Sequence, residues 1–266
     1  MGKNQPVRVE GKIQLKHFRP DFTGGLDKQK TKPLTSALCQ KVAEFQELLY
    51  ANSSQALLIV FQGMDCSGKD GAGKRLLEFV TPAGVETTNF KAPSSEERAH
   101  GFLWRVHKAI PRYGNIGVFN RSHYEEVLIA RVLNLVPEKV WRKRYGQINA
   151  FEEILTENGI VLLKFFLHIS KEEQAERLRA RLEDPRKNWK FQKEDLTMRR
   201  HWDDFQHAYE DAINHCNPPH APWHIIPADH KWYRDYVIAE TVANALENLK
   251  LTWPKPKEDL SKIRVV

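Results

Sequence analysis

The sequence predicts an α/β fold, a parallel sheet covered by helices on both faces. Three observations predict it. Apolar runs of strand length, Ala56 to Phe61, Ile116 to Phe119 and Ile160 to His168, read as strands buried on both faces. Stretches with apolar residues at helical spacing follow them, so strands and helices alternate along the chain. The first run also ends in Gly63-Met64-Asp65-Cys66-Ser67-Gly68-Lys69-Asp70-Gly71, a G-x-x-x-x-G-K loop set between strand and helix.

In chain order, residues 1–33 are basic and broken by Pro20, Gly24, Gly25 and Pro33, and read as an extended arm with little core of its own. Leu38, Val42, Phe45, Leu48 and Leu49 recur at helical spacing and predict a helix over Leu34 to Tyr50, ended by Asn52-Ser53-Ser54. After the glycine loop, Leu76, Leu77 and Val80 share a helix face, and Pro82 and Gly84 mark a turn. Val85 to Phe90 reads as the second strand. Ser94 or Ser95 caps a helix carrying Phe102, Leu103, Trp104 and Val106, which stops near Pro111. The strand Ile116 to Phe119 delivers Asn120-Arg121-Ser122-His123-Tyr124-Glu125-Glu126 at its C-terminal end, the edge where open parallel sheets bind ligands.

Val127 to Val136 and Glu138 to Asn158 are expected as helices, and Gly159 precedes the strand Ile160 to His168. Ser170-Lys171-Glu172-Glu173 has a capping-box pattern and opens a charged helix with Glu173 and Arg177 four apart. Asp195 to Cys216 reads as one helix, ended by Pro218-Pro219. Trp223 to Ile226 is the last strand, Trp232 to Leu249 the closing helix, and 250–266 a polar tail. No linker divides the chain, so 1–266 is expected as a single domain. The basic stretch from about Arg181 to Arg200 is expected as a mobile lid.

A chain of 266 residues can bury a sizeable core, and its net charge of +7 favours an anionic partner. Nucleic acid, phosphorylated metabolites and polyanions all fit that balance. Cys39, Cys66 and Cys216 are too sparse for a disulfide framework, so a cytoplasmic location is expected. The N-terminus lacks the apolar segment of a signal peptide, and no apolar run is long enough to span a bilayer, so no membrane partner is expected.

Two places converge on phosphate. In the loop, Gly63 and Gly68 let the backbone turn tightly and bring N–H groups to an anion, Gly71 follows in the first helical turn, and Lys69 adds a full positive charge. The motif normally continues with Ser or Thr, whose hydroxyl binds Mg²⁺; here Asp70 stands there, with Asp65 inside the loop. A buried strand commonly ends in a Mg²⁺-binding acid, but Asn120 takes that place. Asp65 and Asp70 are therefore the nearest candidates to hold Mg²⁺, with Glu125 and Glu126 as further ones. Arg121 directly follows a buried strand and points to phosphate. In the lid, Lys187, Lys190 and Arg199 are candidates to clamp phosphate, with Arg186 and Arg200 beside them, while Trp189 and Phe191 read as packing residues. Cys216, His220 and His224 have a zinc-like spacing, which Pro218, Pro219 and Pro222 argue against by making a stiff loop.

These residues resemble a known family. The glycine loop, then Phe119-Asn120-Arg121-Ser122-His123-Tyr124-Glu125-Glu126-Val127-Leu128, then Trp189-Lys190-Phe191 with Asp195 and Trp202-Asp203-Asp204-Phe205, are similar to the polyphosphate kinase 2 family. His100-Gly101-Phe102-Leu103-Trp104-Arg105, and Asn120 before Arg121, are most similar to its class III branch. The resemblance runs in order from about Leu34 to Leu249. It implies a thymidylate-kinase-like P-loop kinase fold, a three-layer α/β/α arrangement with a helical lid. It implies Mg²⁺-dependent phosphoryl transfer between inorganic polyphosphate and nucleotides, with AMP converted to ADP and ADP to ATP, and it implies a homo-oligomer. Asp65, Lys69, Asp70, Asn120, Arg121 and Glu125 fall on family active-site positions, and Glu126 where an Asp is common. By that reading Asp65, Lys69 and Arg121 are catalytic. Cys66-Ser67 stand where the family often has Ala-Ala or Thr-Ala.

Two other readings share some of these features. An ATP-dependent P-loop kinase of nucleotides or small molecules shares the loop, but not Asp70 in place of Ser/Thr nor the long basic lid. A nucleic-acid-binding protein shares the charge, but the aromatics do not interleave with basic residues on a strand platform.

Overall fold

Ala56–Gln62 is buried at every position and forms the central strand of a five-stranded sheet. The structure, a computed structural model, describes residues 7–256, 258–260 and 263–264. The elements in chain order are α1 (Lys28–Asn52), β1 (Ala56–Gln62), α2 (Lys69–Leu76), β2 (Val85–Asn89), α3 (Ser95–Ala99), α4 (Trp104–His107), β3 (Ile116–Asn120), α5 (Ile129–Val132), α6 (Glu138–Glu157), β4 (Ile160–His168), α7 (Lys171–Glu183), α8 (Lys193–Arg200), α9 (Trp202–His215), β5 (Trp223–Pro227) and α10 (Lys231–Glu247).

The strand order is β2-β3-β1-β4-β5, and every pairing among these strands is parallel. Side chains alternate across β1. Leu57, Ile59 and Phe61 enter one core with Val42 and Leu49 of α1, Leu76 of α2 and Val242 of α10. Ala56, Leu58 and Val60 enter a second core with Val106 of α4 and with Phe151 and Leu155 of α6. Helices therefore cover both faces, and the expected three-layer α/β/α architecture is found. Among the described residues, no helix is long and apolar enough to cross a membrane.

The arm ends earlier, and contributes more to the core, than the sequence suggested. Asp27 accepts from the N–H groups of Gln29 and Lys30 at 3.0 and 2.9 Å. That N-cap starts α1 six residues before Leu34, so Pro33 lies inside the helix. One missing N–H is tolerated because α1 is long and packs along α10. Upstream, Val9 N donates to Trp223 O at 2.8 Å and Ile225 N to Val7 O at 2.7 Å. The arm thus adds an antiparallel segment to β5, covering backbone groups that an edge strand leaves open. Val9 and Leu15 are buried. Residues 1–6 of the arm and 257, 261, 262, 265 and 266 of the tail lie outside the described residues.

Three predicted helices are interrupted. The stretch after Ser94 is two short helices, α3 and α4, separated at His100 and Gly101. Ser94 and Glu97 do form the capping box, but His100 is extended and ends α3. The stretch expected from Asp195 to Cys216 is α8 and α9, broken at His201. The stretch expected from Val127 to Val136 shrinks to α5, preceded by a 3-10 turn over His123–Glu126. The apolar residues after the breaks, Val106 of α4 and Trp202 and Phe205 of α9, are buried, whereas α3 buries no residue and Leu196 of α8 is exposed.

Candidate active site

The C-terminal ends of the strands meet on one edge, and β1 sits where the strand order reverses, with β3 on one side and β4 on the other. Open α/β sheets bind ligands in that crevice. The P-loop follows β1, Arg121 follows β3, α7 follows β4, and residues 228–230 follow β5.

The loop's backbone is unusual where the motif requires it. Gly63 has φ +148, and a Cβ there would stand 2.7 Å from the Leu167 carbonyl oxygen. Gly68 has φ +97, and a Cβ would run into the guanidinium of Arg234, buried behind the loop. Cys66 takes φ 65 without being glycine, a conformation that costs on the order of 1 kcal/mol or more and gathers at functional sites.

Three successive loop carbonyls are held by α7. Gln174 Nε2 donates to Asp65 O at 2.9 Å. Arg177 Nη1 donates to Cys66 O at 2.9 Å and to Ser67 O at 3.2 Å. Arg177 Nη2 reaches Ala228 O at 2.7 Å and Asp229 O at 2.9 Å, and its Nε donates to Glu173 at 2.6 Å. With those carbonyls turned to α7, the N–H groups at the start of α2 are left for an anion.

The charged side chains gather beside this cradle. Lys69 Nζ donates to Gly63 O at 2.7 Å and Met64 O at 3.2 Å. Burial pulls its pKa below the usual range, opposed by the nearby Asp65 carboxylate. Arg121 Nη2 donates to Asp65 Oδ1 at 2.9 Å. Arg121 itself sits at φ 61, with its N–H on Phe61 O at 3.0 Å. Asn120 Nδ2 donates to Asp70 Oδ1, joining the strand end to the first turn of α2. Burial raises the pKa of Glu125, while Arg121 and Lys69 pull it back. The Gln62 amide, oriented as its neighbours require, donates to Glu125 at 3.1 Å. Next to this cluster a cleft of about 760 Å³ is lined by Lys69, Asp70, Gly71, Arg75, Asn89 and Asn120, among others.

The family model for polyphosphate kinase 2 matches residues 25–253. The AMP/ADP-polyphosphate phosphotransferase of Meiothermus ruber is 44% identical over 263 residues, 98% of each chain. The chain belongs to the polyphosphate kinase 2 family. The ADP-polyphosphate phosphotransferase of Rhodopseudomonas palustris is 41% identical over 228 residues, covering 81% of this chain and 79% of that one. The crystal structure of polyphosphate kinase 2 from Arthrobacter aurescens TC1 superposes with a TM-score of 0.93 at 41% identity, covering 96% of this chain and 92% of that one. The match takes in the P-loop, the turn after β3 and helices α7 to α9, and the fold is that of a P-loop kinase.

The family's structure here brings six of the sequence candidates together: Asp65, Lys69, Asp70, Asn120, Arg121 and Glu125. Glu126 stands apart from them. Its carboxylate takes Arg144 Nη1 at 2.7 Å and lies 3.9 Å from Arg105, because the 3-10 turn sends neighbouring side chains in different directions. Of the basic residues after α7, Lys187 pairs with Asp184 at 2.8 Å and Lys190 lies over the Trp189 ring at 5.1 Å. Arg199 turns to α7, donating to Lys171 O and to Gln174 Oε1, both at 2.7 Å. The charge this region turns towards the loop is a different one. Asp195 of α8 accepts from Arg181 of α7 at 3.3 Å, and its pKa is raised first by burial and then by Asp65. Tyr209 of α9 lies close by; burial, with Glu125 and Asp65, pushes its phenol well above its ordinary value.

Magnesium takes hard oxygen ligands, characteristically one or two carboxylates completed by substrate phosphates and water. Asp65 and the exposed Asp70 offer that donor set beside the anion cradle. Among the described residues, no group of three or more His, Cys, Asp and Glu side chains is placed to hold an ion alone. Substrate phosphate oxygens and water would complete the donor set of Asp65 and Asp70. Sequence reasoning missed Gln174, Arg177, Arg181, Tyr209 and Arg234. One signal was available: an uncharged Gln174 in a charged helix that starts at a strand's C-terminal end.

Proposed function

We propose that this chain is a polyphosphate-dependent phosphotransferase that moves phosphoryl groups between inorganic polyphosphate and AMP or ADP. The observation that carries the proposal is the Asp65–Lys69–Arg121 cluster at the P-loop edge, in a chain whose near full-length relative is named for AMP/ADP and polyphosphate. The accepting phosphate oxygen is already largely ionised near neutral pH. The protein's work is therefore positioning and neutralising charge rather than strong general-base catalysis. Lys69, which rests on two loop carbonyls, turns to the phosphate oxygens, and Arg121 stabilises the charge spread over the transferring group. Asp65 holds Arg121 in place and orients the attacking phosphate. Asp65 and Asp70 would hold Mg²⁺, which would supply further neutralisation of phosphate oxygens. The segment from about 181 to 200 closes as a lid, bringing Lys187 and Lys190 to the polyanion. The net charge of +7 serves that polyanion rather than nucleic acid. The reading places the enzyme in the cytoplasm, with its nucleotides, as a homo-oligomer.

Purified protein given AMP, long-chain polyphosphate and Mg²⁺, with no ATP added, should form ADP and then ATP, resolved by nucleotide separation. If ATP is the only donor it accepts, the chain is an ordinary nucleotide kinase and the proposal fails.

The metal reading has its own test. Asp70→Asn keeps the shape and can still accept from Asn120, but it loses the charge that Mg²⁺ prefers. The half-maximal Mg²⁺ concentration should rise, and added Mg²⁺ should recover part of the rate. The competing role for Asp70 is a first-turn carboxylate favouring the α2 dipole, worth roughly 0.3–1 kcal/mol of stability. In that case the melting temperature falls slightly and the Mg²⁺ titration stays where it was.

A further inference from the structure

We propose that Gln174 is a positioning residue that couples α8 to the P-loop, with its side-chain amide as the connecting part. The inference rests on the P-loop being the reaction site. Gln174 is 1% exposed and lies on α7 between the two elements. Its Nε2 donates to Asp65 O at 2.9 Å, and its Oε1 accepts from Arg199 Nη1 at 2.7 Å. The amide direction follows from its partners, because the flipped group would set oxygen against the Asp65 carbonyl and NH₂ against the guanidinium. Each end of the amide therefore has one correct partner, one in the loop and one in α8.

The loop end of this link is sensitive. Asp65 carries the carboxylate that holds Arg121 at 2.9 Å, and the next residue, Cys66, already sits at φ 65. A small rotation of the Asp65 peptide moves Asp65 relative to Arg121 and re-aims the cradle. The neighbouring contact, Arg177 on the Cys66 and Ser67 carbonyls, has its other end on the loop after β5. Arg181 of α7 also pairs with Asp195 of α8, and Arg199 also donates to Lys171 O, but of the two α7 side chains that hold loop carbonyls it is Gln174 that bonds α8. When α8 moves away, Gln174 Oε1 loses a charged donor and the buried amide is half satisfied, a state with a real free-energy cost. Docking of α8 and the bound geometry of Asp65 thus favour each other.

Two substitutions separate the ends of the link. Gln174→Glu keeps an acceptor for Arg199 but has no N–H for Asp65 O. Arg199→Met removes the α8 end and leaves the loop end. Turnover with polyphosphate and ADP is measured for both, for Gln174→Met and for the Gln174→Met/Arg199→Met pair. Hydrogen exchange of the 63–69 amides is measured on the same proteins without substrate. Arg199→Met should lower kcat about tenfold and speed loop exchange about fivefold in the parent, and do much less of either in the Gln174→Met background. Gln174→Glu should match Gln174→Met in loop exchange. The proposal is overturned if Arg199→Met has the same fold effect in both backgrounds, which would make Arg199 act through its bond to Lys171 O or on substrate rather than through Gln174. It is equally overturned if Gln174→Glu exchanges like the parent. Should Gln174→Met fail to fold, Gln174→Ala and the Gln174→Ala/Arg199→Met pair, which strand no buried charge, serve in its place. Absence of polyphosphate turnover in the parent would count against the proposed function alone, since loop exchange still decides the coupling.

Discussion

Arg121→Ala should lower turnover by about 10²–10⁴-fold, with Lys69→Ala close to it, while both proteins stay folded. The expectation comes from where the two cations stand. Arg121 follows β3 directly, its side chain is 41% exposed, and it donates to Asp65 and faces Glu125. Neither side chain belongs to an apolar cluster. Removing either deletes a donor aimed at transferring charge and leaves the core intact. The left-handed backbone at Arg121 is strained for alanine as it is for arginine, so the substitution adds little strain. Arg121→Lys sharpens the test. It keeps the charge but loses the planar fork that meets two phosphate oxygens at once, and should recover only a minor part of the rate. Steady-state assays alongside melting curves check all three variants. A folded Arg121→Ala protein within twofold of the parent would reduce Arg121 to a salt bridge with Asp65.

The largest stability effect should come from Lys164→Met, about 3–5 kcal/mol and a fall in melting temperature of roughly 10 °C. Lys164 lies in β4 and is 0% exposed. Its ammonium has three partners: Glu152 Oε2 at 2.6 Å, Tyr124 OH at 2.9 Å and Cys216 O at 2.8 Å. Glu152, equally buried, also takes Tyr124 OH at 2.8 Å and lies 3.1 Å from His123 Nε2. Methionine fills similar space but leaves Glu152 charged and uncompensated in the interior. The double variant Lys164→Met/Glu152→Leu removes both charges and should regain much of the lost stability. It should not regain full turnover. His123 and Tyr124 belong to the 3-10 turn that follows Arg121 and carries Glu125, and they would lose the anchor beneath them. Denaturant midpoints and kcat for the single and double variants separate the two effects. A double variant no more stable than Lys164→Met would mean that packing, not the stranded carboxylate, sets the cost.

Much of this protein is written locally. The strands β1, β3 and β4 lie where their apolar runs predicted, because a strand covered on both faces needs apolar residues at successive positions. The P-loop was legible because its requirements are contiguous: Gly63 and Gly68 at backbone angles that other residues adopt at a cost, and Lys69 next to them. Arg121 could be read from its place at the end of a buried strand. Helix boundaries were less legible. The break at His201 carries no glycine or proline to mark it, and at α1 a single Asp27 cap decided where the helix begins despite Pro33.

What the tertiary structure alone decided is where long polar side chains find partners. Glu125 and Glu126 are adjacent in sequence, yet one faces Lys69 and Arg121 and the other faces Arg144 and Arg105. Lys164 interrupts an apolar run, and only the packing of α6, the His123–Glu126 turn and the end of α9 against β4 supplies its three acceptors. Gln174 and Arg177 bond carbonyl oxygens of the P-loop. Every residue type carries a backbone carbonyl, so such contacts leave no pattern in the partner's sequence and come into being only when the chain brings α7 against the loop.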